Sequence, residues 1–224
     1  TVANSFVATS NIALISNYSV QFVDINLQTG NICPNLLEKK LSITRKDKIP
    51  SVLIVVHYAG LPCDMKTIYK LSKKFNFKII EDASHALGAQ YEKGKIGNLK
   101  FSDACVFSFH PVKMITTGEG GAIMFKSPKF FEKAKALISH GIIKNKKGMV
   151  NKKLSKLPWY FEQQYLSLNF RLTDFQAALG ISQLSRLKNF LSKRQKITKI
   201  YNNKLDRKYL YTQEITNKKK FLSS

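Results

Sequence analysis

Five branched or apolar residues in succession, Val52-Leu53-Ile54-Val55-Val56, constrain the fold more than any other feature of the chain. A run without polar alternation suits a strand buried on both faces, as in a parallel sheet. Asp64 then stands where it can cap a helix, and Ile68, Leu71 and Phe75 recur behind it at spacings of three and four. Phe77–Ile80 reads as the next buried strand, Ala104–Phe107 as another and Gly121–Phe125 as a further one, with a helix after Pro128. Upstream, Val20-Gln21-Phe22-Val23 reads as a short strand. Thr173-Asp174-Phe175-Gln176 fits a capping box, and Ala178, Ile181, Leu184, Leu187 and Leu191 behind it form one apolar stripe. That stripe is expected to be core or subunit interface. A second helical stretch runs to about Leu205. Strand, helix, strand in this order predicts an α/β domain with a largely parallel sheet.

The chain has 224 residues, of which 44% are hydrophobic, enough to build a core and to exclude disorder as a class. Cys33, Cys63 and Cys105 are odd in number and contain no C-x-x-C pair, so neither a disulfide framework nor a zinc site is expected, and a reducing, cytoplasmic setting is. No apolar run reaches the length of a membrane span. Thr1-Val2-Ala3-Asn4 offers no basic segment followed by an apolar stretch, so no secretory leader is read there. With no initiator Met, the sequence is expected to begin inside a longer chain.

The formal charge of +23 raises the question of a nucleic-acid partner. The lysines are scattered. Their denser stretches, Lys144-Asn145-Lys146-Lys147, Lys152-Lys153 and Lys218-Lys219-Lys220, are not interleaved with aromatics and sit on no DNA-reading motif. No nucleic acid is therefore expected as a partner. A phosphorylated small substrate uses a few such charges equally well.

In open α/β sheets ligands bind beyond the carboxyl ends of the strands. Two such ends carry polar residues here. One strand leads into Glu81-Asp82-Ala83-Ser84-His85, the other into Ser108-Phe109-His110-Pro111-Val112-Lys113, followed by Thr116-Thr117-Gly118-Glu119-Gly120-Gly121. A carboxylate, a hydroxyl and a lysine can thus meet beside a glycine-rich turn. Pyridoxal phosphate (PLP) needs an amine for a Schiff base, an acid for its pyridine nitrogen and donors for its phosphate. Lys113, Asp82 and Ser108 supply those groups. Singly, each has a plainer reading: a surface lysine, a turn or cap aspartate, a turn serine, and core histidines at His85 and His110.

The two motif segments together resemble the DegT/DnrJ/EryC1/StrS family of PLP-dependent sugar aminotransferases, of fold type I. The likeness runs from Asn4-Ser5-Phe6-Val7-Ala8-Thr9 to about Leu205. Val56-His57-Tyr58-Ala59-Gly60-Leu61-Pro62-Cys63-Asp64-Met65 and Pro158-Trp159-Tyr160-Phe161-Glu162-Gln163-Gln164-Tyr165-Leu166 are most similar to the branch serving pseudaminic acid biosynthesis. That branch aminates C4 of a UDP-linked 4-keto-6-deoxy-N-acetylhexosamine, with glutamate as donor and 2-oxoglutarate as product. The resemblance implies Lys113 as the Schiff-base lysine, Asp82 as the partner of the pyridine nitrogen and Ser108 as a phosphate ligand. It also implies Phe6 stacked on the cofactor ring, His85 close to the cofactor, and Asn169 reaching into the neighbouring subunit's site in a homodimer.

The implied architecture is a fold type I large domain, mostly parallel and flanked by helices, shortened at both ends. Residues 1–190 would form the PLP-binding domain, and 191–224 a linker helix and the start of a small C-terminal domain. The family's early Gly-Thr-Ser/Ala segment does not precede Thr1, and Ile138 stands where the family commonly has Arg. Three rivals remain: a PLP sugar dehydratase, in which histidine replaces the lysine; a dimerising remnant without a complete site; and a nucleic-acid-binding domain supported by charge alone.

Overall fold

The computed structural model describes residues 1–206, 208, 210 and 212–214. Helix α1 (Ala8–Ile15) and helix α2 (Pro34–Ile43) come first. Neither is marked by a long stripe; α2 buries only Leu37 and Leu41, four residues apart. The expected strand at Val20–Val23 does not form. That stretch bonds back to the chain start, with the Val23 N–H donating to the Thr1 carbonyl at 2.8 Å. Among the described residues the only pairing beside it is an isolated bridge between Ile25 and Ile32. Its apolar alternation has no neighbouring strand with which to build a ladder.

Strand β1 (Val52–Val56) leads through helix α3 (Met65–Phe75) to strand β2 (Lys78–Asp82). Asp64 caps α3 as expected, accepting from the Thr67 N–H, and Asn76 ends the helix in the left-handed conformation. A small hairpin, β3 (Gln90–Tyr91) with β4 (Gly94–Lys95), precedes strand β5 (Ala104–Ser108), which pairs with strand β6 (Gly121–Phe125). The main sheet has the order β1-β2-β5-β6. β1, β2 and β5 are parallel and β6 runs antiparallel to β5. Helix α4 (Pro128–Leu137) follows, then a two-strand pairing of β7 (Ile142–Ile143) with β8 (Glu162–Gln163).

The capping box closes in full at Thr173 and Gln176 and starts helix α5 (Asp174–Ser185), which gives way at Arg186 to helix α6 (Leu187–Lys204). The single stripe read from sequence is therefore split between two helices. Leu187 and Leu191 pack on Gly88, whereas Ile181 and Leu184 are exposed. α6 runs through residue 191 without a break. The expected start of a small domain beyond it lies, at residues 207, 209, 211 and 215–224, outside the described residues.

The core lies on the face of the sheet covered by α2 and α3. Leu37, Leu41, Met65, Ile68 and Leu71 pack there against Leu53, Val55 and Ile79. The other face is only half covered, so burial alternates along β2 and β5. No described helix is long and apolar enough to cross a membrane.

Ile68 is fully buried at the centre of this core. Truncation to alanine removes that contact and leaves a cavity, so Ile68→Ala is expected to cost about 2–5 kcal/mol. Urea unfolding of the two chains checks it.

Candidate active site

Asp82 is the last residue of β2 and Ser108 the last of β5, so both lie inside the ladder rather than after it. The register pairs Asp82 with Val56 on one side and Val106 on the other, while Ser108 lies across from Gly121. Side chains alternate along a strand, so Asp82, Val106 and Ser108 share one face. It is the half-covered face. Glu81, Cys105 and Phe107 point to the buried side.

Both carboxylate oxygens and the carbonyl of Asp82 are held. Thr9 Oγ1 donates to Oδ2 at 2.8 Å. Ser84 donates to Oδ1 through its hydroxyl at 2.6 Å and its N–H at 3.2 Å. The Asp82 carbonyl accepts the His57 N–H at 3.1 Å. Behind it, the buried Glu81 carboxylate is bound by His57 Nε2 at 2.8 Å and by the Ser102 hydroxyl. The Cys63 N–H donates to His57 Nδ1 at 3.2 Å, so the ring carries its proton on Nε2 and donates it to Glu81. Burial first, and then the Glu81 charge, push the Cys63 and Cys105 thiols well up, which leaves them as protonated packing groups rather than nucleophiles.

Beyond Ser108 the chain folds into a tight loop that carries Lys113. The Phe109 N–H donates to the Gly120 carbonyl at 2.8 Å, and the Phe109 carbonyl accepts the Thr117 N–H and the Thr116 hydroxyl, each at 3.0 Å. The Lys113 N–H closes a turn onto the His110 carbonyl at 3.0 Å. Gly120 has φ +153°, and a side chain there would run into Thr117 and come 3.0 Å from Leu172. α5 closes over this turn. Gln176 donates to the Glu119 carbonyl at 2.9 Å while its own carbonyl completes the capping box.

Lys113 is half-buried, and among the described residues no carboxylate forms an ion pair with its amine. Ser108 Oγ accepts the His110 N–H at 3.3 Å, which leaves its own proton to donate elsewhere. The His85 pKa is lowered, first by desolvation and then by the Lys113 charge, against the opposing pull of Asp82. Both charges act on one imidazole, so the amine, the carboxylate and the ring occupy one electrostatic neighbourhood.

Phe6 lies in the turn before α1, 80% exposed, and reaches this group through its backbone: its carbonyl accepts the Thr9 N–H at 3.1 Å. Asn169 is exposed and tied elsewhere, bridged to Ser139 and accepting the Arg171 N–H at 3.2 Å. The fold therefore puts Asp82 and Ser108 on one face, with the Lys113 loop leaving from Ser108 and His85 following Asp82 by three residues, and leaves Phe6 and Asn169 facing outward. Thr9, His57 and Glu81 were not singled out from sequence. Ser84 could have been, because a hydroxyl two residues after an aspartate is a common local turn. The Thr9 contact spans 73 positions and carries no local signal.

A flat phosphorylated aldehyde fits this donor set. The acceptor-only carboxylate suits a protonated ring nitrogen, Ser108 a phosphate oxygen and Lys113 the aldehyde carbon. Gly118 and Gly120, both at positive φ, allow backbone close to the site.

The sequence model of the DegT/DnrJ/EryC1/StrS aminotransferase family matches residues 1–222. A UDP-4-amino-4,6-dideoxy-N-acetyl-beta-L-altrosamine transaminase of Campylobacter jejuni is 40% identical over 208 residues, covering 93% of this chain and 51% of the relative. Among solved structures, Helicobacter pylori PseC, an aminotransferase involved in the biosynthesis of pseudoaminic acid, superposes with a TM-score of 0.78 at 35% identity, over 92% of this chain and 51% of that one. The PLP-form of the putative sugar aminotransferase Spr1654 from Streptococcus pneumoniae gives a TM-score of 0.72 at 25% identity, over 89% and 51%. The chain spans about half the length of the curated relatives it matches.

The His85 environment can be tested without a ligand. Its imidazole is expected to titrate below the ordinary value of 6.5 in NMR spectra. Lys113→Met removes a lowering influence and should move the midpoint up; Asp82→Asn removes a raising one and should move it further down.

Proposed function

Because the chain belongs to the DegT/DnrJ/EryC1/StrS aminotransferase family, we propose that it forms the PLP-binding part of a sugar aminotransferase that converts a UDP-linked 4-keto-6-deoxy-N-acetylhexosamine to its 4-amino sugar. The observation that carries this reading is geometric: β2 ends in Asp82 and β5 in Ser108 on one half-covered face of the sheet, and the loop that carries Lys113 leaves directly from Ser108. The family is PLP-dependent, and one structural neighbour holds that cofactor form.

When bound, PLP supplies an electron sink through which an amino group passes from an amino acid to a keto-sugar. Lys113 would hold the cofactor by its Nζ. Once displaced by the amino donor, for which glutamate is our choice with 2-oxoglutarate as product, the same amine would take the proton from the donor's α-carbon. It must be uncharged to do so. Asp82, pinned by Thr9 and Ser84, would keep the ring nitrogen protonated. Ser108 would donate to the phosphate, and His85 would sit beside the cofactor. Phe6, exposed one turn ahead of Thr9, is free to lie over the ring. Asn169, exposed on the far segment, would reach the site of a second copy in a homodimer.

The lysines of 144–156 would form a basic rim for the UDP pyrophosphate. We assign residues 1–190 to the cofactor domain and 191–224 to a linker helix and the start of a second domain, in a cytoplasmic enzyme. A dehydratase of the same family is disfavoured because Lys113 stands where those enzymes carry histidine.

Borohydride reduction in the presence of PLP, followed by peptide mapping, tests the reading. A pyridoxyl group is expected on Lys113 and should be lost in Lys113→Ala. No label at saturating PLP would overturn the proposal in favour of a remnant.

A further inference from the structure

Helix α1 buries a single residue. Along Ala8–Ile15 only Thr9 is enclosed, at 7% exposure, while Ile12, Leu14 and Ile15 lie open. Thr9 belongs to neither apolar cluster of the core. Its burial therefore cannot be explained by packing a hydrophobic stripe, as it would be for an ordinary amphipathic helix. What Thr9 does make is a hydrogen-bond chain. Ser5 Oγ donates to Thr9 Oγ1 at 3.0 Å, and Thr9 Oγ1 donates to Asp82 Oδ2 at 2.8 Å. Ser84 holds the other carboxylate oxygen.

We propose that Thr9 is a positioning residue for Asp82: its buried hydroxyl, polarised from behind by the Ser5 hydroxyl, fixes the rotation of the carboxylate and leaves one acceptor site on Asp82 for the cofactor's ring nitrogen. This rests on the reading of Asp82 as the partner of that nitrogen. A carboxylate can spin about its last bond at little energetic cost, because that torsion has broad minima. With Ser84 on Oδ1 alone the group would still rock. A second donor from a different element, 73 residues away, removes that freedom. The same contact couples two parts of the site. The Thr9 N–H donates to the Phe6 carbonyl, so the residue that orients Asp82 also fixes the turn that carries the exposed Phe6 ring. α1 thus ties the acid that would pair with the ring nitrogen to the turn that carries Phe6.

Thr9→Val keeps the shape of the side chain and deletes the hydroxyl, while Thr9→Ser keeps the hydroxyl. The PLP-loaded full chain would be titrated from acid to base, reading its visible absorption band, and PLP release would be measured by dialysis against the same buffer. Loss of a hydrogen bond to a charged group predicts about tenfold weaker PLP retention in Thr9→Val. The pH midpoint of the band should rise, because a mis-aimed Asp82 carboxylate holds the proton on the ring nitrogen less firmly and so withdraws less electron density from the rest of the cofactor. Thr9→Ser should restore both, and Ser5→Ala should fall between.

In an Asp82→Asn background, Thr9→Val should add almost nothing, because the bond it breaks no longer serves a charge. A Thr9→Val protein with the wild-type midpoint and retention would overturn the inference, as would an effect of the same size in the Asp82→Asn background. Circular dichroism of the cofactor-free variants separates a local change from unfolding, and Ser5→Ala, which leaves Thr9 itself intact, carries the test should Thr9→Val fail to fold. Wild-type chain that takes up no PLP would instead sink the reading of the site itself, and the inference with it.

Discussion

The end of β2 carries two consecutive carboxylates, and the pleat of the strand sends them to opposite sides of the sheet. Everything else at the site depends on that division. Glu81 enters the buried side, where an uncompensated charge would be costly, and is met there by His57 and Ser102. Asp82 emerges on the half-covered side, where ligand and solvent have access. Through its ring His57 ties down Glu81, and through its N–H it ties down the Asp82 carbonyl. One residue beyond β1 therefore anchors both acids, and the strand cannot shift without breaking the buried hydrogen bond between His57 and Glu81.

Around this fixed point the neighbouring segments are clasped from outside. The Lys113 loop joins β5 to the edge strand β6 and buries Ile115 and Thr117, and α5 and α6 close over it and its neighbour. Gln176 bonds the Glu119 carbonyl, Gly180 sits against Thr117, and Leu187 and Leu191 close over Gly88 in the Asp82 segment. A methyl group at Gly88 would come 2.6 Å from Leu191, so this glycine is needed for the approach of α6 as well as for its φ of +88°. The two motif segments, separated in the chain, are thus covered by adjoining helices.

A similar economy holds the basic segment ahead of β8. Glu162 accepts the N–H groups of Val150 and Asn151, at 2.6 and 2.8 Å, along with Gln164 and Tyr160. Those backbone bonds, first of all, lower its pKa to about 2. The contact stays intact at neutral pH and weakens as pH falls from the ordinary carboxylate range towards that value. A single carboxylate thereby organises a stretch rich in lysines.

Much was legible from the chain alone, wherever the signal is local. The β1 run, the Asp64 cap, the Thr173–Gln176 box and the end of α6 near Leu205 depend on residues within a few positions of one another, and each forms as read. The polar clusters after two buried runs likewise locate the candidate site, because strand ends are where side chains leave a sheet. Tertiary structure decided the rest: that Val20–Val23 has no strand to pair with, that one apolar stripe belongs to two helices, and that Asp82 and Ser108 lie within the ladder and share a face. It alone brought Thr9 to Asp82 and His57 to Glu81. Hydrogen bonds between distant residues leave no periodicity in the sequence; they exist only once packing has placed the two backbones side by side.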